Sequence, residues 1–198
     1  MVVMNKQDII DFFDSKADSW DLTNQKDPKK INLLLDYAGI KAGISVLDVA
    51  CGTGVLFPFY KERNVGLLTA VDISSQMVRV AREKFPTNNI ICADVETIEF
   101  SQEFDAIMVF NAFPHFLDPD NLIKVLASHL KAGGRLTVCH DMARKELDHV
   151  HEGTASKVSM GLMPETDLAK IFQKYLSCDT IISDDEKYIV SGVVQKTN

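Results

Sequence analysis

The stretch "VLDVACGTGVL", Val46 to Leu56, sets the architecture of this chain. Branched apolar residues surround Asp48 and two glycines then flank a threonine, which predicts a buried strand that runs into a glycine-rich turn. Segments with the apolar spacing of helices separate further runs of this kind, so strands alternate with helices. This alternation predicts right-handed crossovers and a parallel sheet covered by helices on both faces. The predicted strands are 45–49, 67–72, 89–93, 104–110 and 135–140.

The two ends of the chain complete the predicted sheet. Helical patterns at 5–17 and 29–37 precede the first strand. The segments 175–183 and 186–195 are strand-like and are joined by "SDDE", which predicts a hairpin and an antiparallel final strand. We therefore expect an α/β fold with a Rossmann-like, doubly wound, seven-stranded sheet that is mostly parallel and ends in an antiparallel C-terminal hairpin strand.

Composition and charge narrow the class of protein. The 198 residues, 46% apolar and 25% charged, predict one domain, in which 1–40 form an N-terminal helical cap and 41–198 form the core. A formal charge of −7 without any block of lysine or arginine disfavours nucleic acid and favours a small molecule as partner. No apolar run approaches the roughly 18 residues of a membrane span and no signal-peptide core is present, so we expect a cytoplasmic protein without membrane insertion. The four widely spaced cysteines, without a Cys-x-x-Cys pair, predict reduced and mostly buried thiols.

The residues that follow the predicted strands indicate a ligand site. In an open parallel sheet, ligands bind beyond the carboxyl ends of the strands. Asp48 precedes the glycine turn, and Asp72 and Asp94 follow at the ends of the second and third strands. Gly52 and Gly54 permit a close approach of the backbone to a ligand, next to the free N–H groups of the following helix.

The turn itself favours an amino-acid-like ligand. The Gly-Lys-Ser/Thr that grips a nucleotide triphosphate is missing. The dinucleotide pattern Gly-x-Gly-x-x-Gly is only half met, because Phe57 stands at the third glycine position and hinders close packing of helix on sheet. The carboxylate of Asp48 suits a ligand with an ammonium group and would repel a pyrophosphate. A nicotinamide-dependent oxidoreductase remains the alternative.

Several motifs, in order, resemble those of the class I S-adenosylmethionine-dependent methyltransferases. "LDVACGTG" is similar to the first motif of that family, with Ala50 where glycine is commonest, and "VDIS" and "ADVE" are similar to the next two. "FDAIMVFNAFPHFLDPDNLIKVLASHLKAGGRL" resembles the fourth-strand motif with the helix, glycine turn and fifth strand after it. The similarity runs from about residue 32 to residue 140, in particular to the small-molecule branch that includes the ubiquinone and menaquinone biosynthesis enzymes.

The resemblance implies S-adenosyl-L-methionine as cofactor and gives roles to residues at the strand ends. Asp72 would bind both ribose hydroxyls and Asp94 would face the adenine edge, while Met77 would either flank the adenine or pack in the core. Cys51 fits as a small apolar filler beside the ligand, because no neighbour in the sequence would activate its thiol. The implied cofactor-binding residues are Asp48, Ala50, Cys51, Gly52, Gly54, Asp72, Ile73, Met77, Asp94, Val95 and Asn111.

The resemblance also implies methyl transfer by direct displacement to a small-molecule acceptor, in which the protein aligns the acceptor and excludes water. A base is needed where the acceptor must lose a proton, and His115, His140 and His149 are the candidate catalytic residues. In similar enzymes the N-terminal segment folds over the cofactor as a lid, so Phe13 and Trp20 would line the acceptor site together with His115 and His140. A protein that binds the cofactor without catalysing transfer is a second alternative. The accepting atom, whether oxygen, nitrogen, sulfur or carbon, and the oligomeric state stay open.

Histidines and carboxylates in "CHDMARKELDHVHEG" raise the question of a metal site. His140, His149 and His151, together with Asp141 and Glu152, offer nitrogen and oxygen ligands. If the segment around them is helical, His149 and His151 lie about 200° apart on the helix and cannot both face one ion. A solvated polar helix is therefore favoured, and no metal is predicted.

Overall fold

The computed structural model describes residues 4–151 and 158–195, with side chains described for 4–147 and 158–195. Its strands are β1 (Ser45–Val49), β2 (Leu67–Asp72), β3 (Asn89–Cys92), β4 (Phe104–Phe110), β5 (Leu130–His140), β6 (Ser177–Ser183) and β7 (Tyr188–Val193). They form one seven-stranded sheet in the order β3-β2-β1-β4-β5-β7-β6. The strands β1 to β5 are parallel, and β7 pairs antiparallel with both β5 and β6. The predicted α/β fold with an antiparallel C-terminal hairpin is confirmed.

Four of the described helices begin at a side chain that caps them. The side chain of Asp27 accepts a hydrogen bond from Lys29 N at 2.8 Å just before a helix that starts at Pro28. The hydroxyl of Ser74 accepts one from Met77 N at 3.1 Å in the same way. Within the described residues no helix is long and apolar enough to cross a membrane. The helices are α1 (Lys6–Lys16), α2 (Trp20–Thr23), α3 (Pro28–Tyr37), α4 (Phe57–Glu62), α5 (Ser75–Lys84), α6 (Pro119–Ser128), α7 (Arg144–His151) and α8 (Glu165–Phe172).

Both faces of the sheet are buried, because alternate residues of a strand pack against helices on opposite sides. All of β1 is buried: Leu47 and Val49 join a cluster with residues of α6 and α8, whereas Val46 joins a cluster with residues of α3, α4 and α5. The strand β1 lies between β2 and β4, so the sheet grows outward in both directions from it. A crevice for a ligand is expected at this switch point, beyond the carboxyl ends of β1 and β4.

Several predicted boundaries differ from the structure, most of them by one or two residues. The predicted helix 5–17 ends at Lys16, where a short 3-10 turn leads into α2. The strand β5 begins at Leu130 rather than at 135, because Leu130 already pairs with Phe104 ahead of a bulge. None of the differences moves the carboxyl end of β1 to β5 by more than one residue, so the predicted location of the site is unchanged.

Candidate active site

A cavity of about 430 Å³ lies at the carboxyl ends of β1 to β4, within the size range of small-molecule sites. The strand ends and the loops after them form one part of its wall, and the N-terminal segment with α1 and α2 forms another. Most of the predicted site residues therefore meet around one space. Those that line it are Phe13, Trp20, Ala50, Cys51, Gly52, Asp72, Ile73, Met77, Asp94, Val95, Asn111 and His115.

Three predicted site residues with described side chains lie outside this lining. Gly54 has φ +84°, and a Cβ there would lie 2.8 Å from the Phe57 ring, so this glycine serves the turn and its packing. Asp48 is 1% exposed within β1. His140 is fully buried, and its ring packs edge-on against Tyr188 with 6.0 Å between the ring centroids. The structure therefore does not bring His140 to the cavity, and its role as a base and acceptor-site residue stays a prediction that this arrangement does not support.

The backbone of the glycine turn leaves room for a ligand. Ala50 and Gly52 have φ angles of 53° and 55°, in the left-handed region. The N–H of Cys51 donates to Val71 O at 3.1 Å, which fixes the turn against the end of β2. A Cβ added at Gly52 would meet no atom within 4 Å. The α-carbon of Gly52 therefore borders open space in the cavity, where a ligand can approach the main chain.

Asp72, the last residue of β2, ties the glycine turn to the start of α5. One of its carboxylate oxygens accepts a hydrogen bond from Gly52 N at 2.8 Å, and the other accepts one from Ser74 N at 2.8 Å. Burial raises the pKa of Asp72 to about 6; these N–H donors oppose the rise, and the negative charge of Asp14 adds to it. At neutral pH the group is ionised in a setting that disfavours its charge.

Asp48 and Cys51 add two further buried acidic groups. Burial raises the pKa of Asp48 well above its ordinary value, and the charge of Asp72 raises it further. The Oδ2 atom of Asp48 has no hydrogen-bond partner within the described part of the chain. Burial likewise raises the pKa of the Cys51 thiol, which argues against a nucleophilic role. Poorly solvated carboxyl groups of this kind favour a positively charged ligand.

Asp94, after β3, pairs with a lysine that the sequence did not indicate. Lys6 Nζ, at the start of α1, lies 2.5 Å from Asp94 Oδ2 and 2.7 Å from Glu96 Oε2. All three side chains line the cavity. Lys6 and Asp94 are 88 positions apart in the chain, so only the folded N-terminal segment brings them together.

Three aspartates of the N-terminal segment also hold it to the core. Asp14 accepts a hydrogen bond from Gln76 N at 3.0 Å and so satisfies a free N–H in the first turn of α5. Sequence reasoning missed these three aspartates. Their spacing of four and then three positions is typical of residues on one face of a helix and could have indicated them. The pairs are Asp14 with Ser74 and Gln76, Asp18 with Arg79, and Asp21 with Thr53 and Lys84.

Aromatic rings form the part of the cavity beside His115. The ring centroid of Phe13 lies 5.5 Å from that of Trp20 and 4.9 Å from that of His115, both edge-on. His115 Nδ1 lies 2.7 Å from the carbonyl oxygen of Val158. Because a carbonyl can only accept, Nδ1 carries the proton, and the Nε2 of the neutral imidazole is then a proton acceptor.

A lysine, an aspartate and an asparagine meet at the ends of β4 and β5. Lys26 Nζ lies 3.1 Å from Asp141 Oδ2 and 5.6 Å from the centroid of the Phe110 ring. Asn111 Nδ2 donates to Asp141 Oδ1 at 2.8 Å, and Asp141 N donates back to Asn111 Oδ1 at 3.1 Å. Asn111 has φ 53°, a strained angle that this pair of hydrogen bonds holds in place. Lys26 lines the cavity and was not predicted.

The histidine-rich segment contributes no described ligand set. The described residues do not include the side chains of His149, His151 and Glu152. The role of His149 as a base therefore stays a prediction. Among the side chains that are described, no group of three or more His, Cys, Asp or Glu could hold a metal ion.

Comparison with known proteins gives a family for the central part of the chain. Residues 46–134 match the family described as methyltransferase domain. The malonyl-[acyl-carrier protein] O-methyltransferase of Acetivibrio thermocellus is 32% identical over 129 residues, which are 63% of this chain and 46% of that protein. The ubiquinone/menaquinone biosynthesis C-methyltransferase of Idiomarina loihiensis is 30% identical over 144 residues, which are 66% of this chain and 57% of that protein. The chain spans about half the length of these curated relatives.

Solved structures share the fold over nearly the whole chain. The magnesium protoporphyrin IX methyltransferase of Synechocystis PCC 6803 with bound SAH superposes with a TM-score of 0.72 at 19% identity, covering 96% of this chain and 99% of that one. A putative methyltransferase in complex with the Haloferax volcanii Trm112 methyltransferase activator superposes with a TM-score of 0.76 at 16% identity, covering 98% of this chain and 99% of that one. The predicted resemblance to the methyltransferases is confirmed.

Proposed function

We propose that this chain, whose residues 46–134 match the methyltransferase-domain family, transfers a methyl group from S-adenosyl-L-methionine to a small-molecule acceptor. The observation that supports this most directly is one cavity that joins the glycine turn at Gly52 to the carboxylates of Asp72 and Asp94. The three lie at the ends of adjacent parallel strands beside the switch point of the sheet, where such a ligand is expected.

The residues of the cavity fit this cofactor. A carboxylate has about four lone-pair sites, and the oxygens of Asp72 use one each for Gly52 N and Ser74 N, which leaves acceptor sites for two ribose hydroxyls. The open space at Gly52 admits the amino-acid part of the ligand. Asp94 and Met77 line the same cavity and would hold the adenine. When bound, the cofactor supplies an electrophilic methyl group on a sulfonium.

The residues of the chain then have to position the acceptor, exclude water and take up a proton. Phe13 and Trp20 would cover the acceptor with apolar surface. His115 Nε2 would accept the proton of a hydroxyl, amine, thiol or carbon acid as it is methylated. The Val158 carbonyl that accepts from Nδ1 would stabilise the charged imidazolium, because a hydrogen bond to the protonated ring lowers its energy.

The part of the N-terminal segment that contains α1 and α2 would act as a lid on this site, whereas α3 packs in the core. In α1 only Ile9 is buried, and α2 has no buried residue. Its polar contacts with the core, such as those of Lys6, Asp14 and Asp21, therefore hold much of it in place. An element held mainly by polar contacts can open without disrupting the core, which cofactor entry requires.

The first experiment separates this function from its two alternatives. Calorimetric titration with S-adenosylhomocysteine and with NADH tests the ligand: we expect a response to the first alone, and a response to NADH alone would favour an oxidoreductase. Incubation of a metabolite extract with methyl-radiolabelled S-adenosylmethionine then tests transfer. If the label stays on the cofactor, the result would favour a protein that binds the cofactor without transferring its methyl group. Gly52→Ala is the matched control, since its Cβ would enter the open space of the cavity.

A further inference from the structure

The cluster around Lys26 carries an excess of positive charge. Asp141 supplies one carboxylate, whose side chain is 9% exposed, and Lys26 lies against it with its own side chain 16% exposed. A second lysine, Lys30, donates to the main-chain oxygens of Asp141 at 3.3 Å and Glu186 at 3.4 Å. These side chains therefore bring two ammonium groups and one carboxylate to the end of β5.

This charge lies at the far end of the cavity from the proposed adenosyl site. The carboxylates that line the cavity, within the described part of the chain, are Asp72, which ends β2, and Asp94 and Glu96, which follow β3. Neighbouring strands are about 4.8 Å apart, so the end of β5, four strands from β3, lies about 19 Å away. A cofactor that spans the ends of β3, β2 and β1 presents its reacting end toward β4. The space beside β5 is then left for the acceptor.

We propose that Lys26 binds an anionic group, a carboxylate, on the methyl acceptor. This inference rests on the proposed function and names the substrate class: an apolar, ring-sized molecule that carries one carboxylate. Lys26 is in this view a residue that determines specificity, and it takes no part in the displacement itself.

The surroundings of Lys26 support this role. An ammonium group has three N–H donors, and its contact with Asp141 leaves donor capacity for a second carboxylate. The nearby Phe110 ring lowers the polarity around the group, which strengthens a charge-assisted hydrogen bond. The hydrogen bonds between Asn111 and Asp141 fix the position of the pair before any ligand arrives. The aromatic surface of Phe13 and Trp20 lines the same cavity and suits the apolar part of the acceptor.

Two probes that differ only in charge test the proposal. The affinities of 4-hydroxybenzoate and 4-hydroxybenzamide are measured by calorimetry, with the protein saturated with S-adenosylhomocysteine. We expect the benzoate to bind at least about tenfold more tightly than the benzamide, as a charge-assisted hydrogen bond would produce. Lys26→Met should remove this ratio, and Lys26→Arg should restore part of it. Lys30→Met is the matched control: it removes the second ammonium group of the cluster but no cavity-lining donor, so it should lower the ratio much less than Lys26→Met does.

A second variant guards against a merely structural effect. Asp141→Asn removes the opposing charge and keeps the oxygen that accepts from Asn111, so the preference for the benzoate should increase. A disturbed fold would lower the affinity for both probes instead. A wild-type protein that binds both probes equally, or a Lys26→Met variant that keeps the ratio, would overturn the proposal.

The carboxylate of the cofactor is the competing source of the anion. If Lys26 contacts the amino-acid part of the cofactor, Lys26→Met should not lower the affinity for 5′-methylthioadenosine, which lacks that part. A variant that loses affinity for S-adenosylhomocysteine but not for 5′-methylthioadenosine would therefore show that Lys26 binds the cofactor and that the acceptor assignment is wrong. If the wild-type protein does not bind S-adenosylhomocysteine at all, the proposed function itself fails. The two failures are therefore distinguishable in one set of titrations.

Discussion

Replacing Asp72 with asparagine should change how the stability of the protein depends on pH. The pKa of a free aspartate is 3.8, and in the folded protein burial raises that of Asp72 to about 6. The folded state therefore binds this proton more tightly than the unfolded state, and the free energy of unfolding falls as the pH rises from about 4 through about 6. The stabilisation is complete below the unfolded pKa and is lost above the folded pKa.

The size of the effect follows from the same values. A rise from 3.8 to about 6 corresponds to about 3 kcal/mol, at about 1.4 kcal/mol for each factor of ten in proton affinity. Asp72→Asn cannot ionise, so it should lack this loss. It also places an amide NH₂ where one carboxylate oxygen accepts from Gly52 or Ser74, which costs about 1–3 kcal/mol at every pH. The variant should therefore be less stable than the wild type at low pH and comparable to it at neutral pH.

Urea unfolding followed by circular dichroism, at a series of pH values between about 4 and about 8, measures this directly. The informative quantity is the wild-type free energy of unfolding minus that of the variant, because shared titrations cancel. We expect this difference to fall by about 3 kcal/mol as the pH rises. A difference that stays constant would refute the conclusion that burial dominates the titration of Asp72. Asp48→Asn, measured alongside, shows how much of the change belongs to the interaction of the two carboxyl groups.

Other substitutions test the turn and the lid. Gly52→Ala should cost about 1 kcal/mol for its left-handed angle but lower the affinity for S-adenosylhomocysteine at least about tenfold, because its Cβ would enter the cavity. Gly54→Ala should cost more stability, by about 1–3 kcal/mol, because its Cβ would lie 2.8 Å from the Phe57 ring; equal unfolding curves for the two variants would contradict this difference. Asp14→Ala should weaken the attachment of α1 by about 1 kcal/mol. In stopped-flow measurements S-adenosylhomocysteine should then dissociate several-fold faster, and the rate of hydrogen exchange should rise in α1 and stay unchanged in β1. Raising the salt concentration from about 0.05 M to about 0.5 M should speed that dissociation too, and a salt-independent rate would argue against polar contacts as the main attachment of the lid.

The strands and the glycine turn were predictable because their signals are local. A buried strand needs a short apolar run, and "LDVACGTG" combines such a run with glycines at the turn. Once the strands are parallel, the topology alone brings Asp72 and Asp94 to the same edge, so their common location also followed from the sequence. The bulge that starts β5 at Leu130 was not predictable, since it depends on pairing with the neighbouring strand.

The residues that sequence reasoning missed act through contacts between distant parts of the chain. Lys6 and Asp94 are 88 positions apart, and Lys26 and Asp141 are 115 positions apart, so neither pair forms a local pattern. His140 is a different case. It is the last residue of the predicted strand 135–140 and also of β5, and only the packing of the sheet shows that its side chain is buried.

The buried carboxyl groups at the centre of the site favour ligand binding and lower the stability of the folded protein. Asp48 and Asp72 are both poorly solvated, and each raises the free energy of the folded protein when it ionises. Apolar residues at these two positions would remove that cost. What Asp72 provides at neutral pH is a negative charge beside an open turn, which is already oriented when a cationic ligand arrives. Because Asp72 also holds Gly52 and Ser74 in position, the residue expected to bind the ribose is the one that shapes the turn around it, and neither role can be removed without disturbing the other.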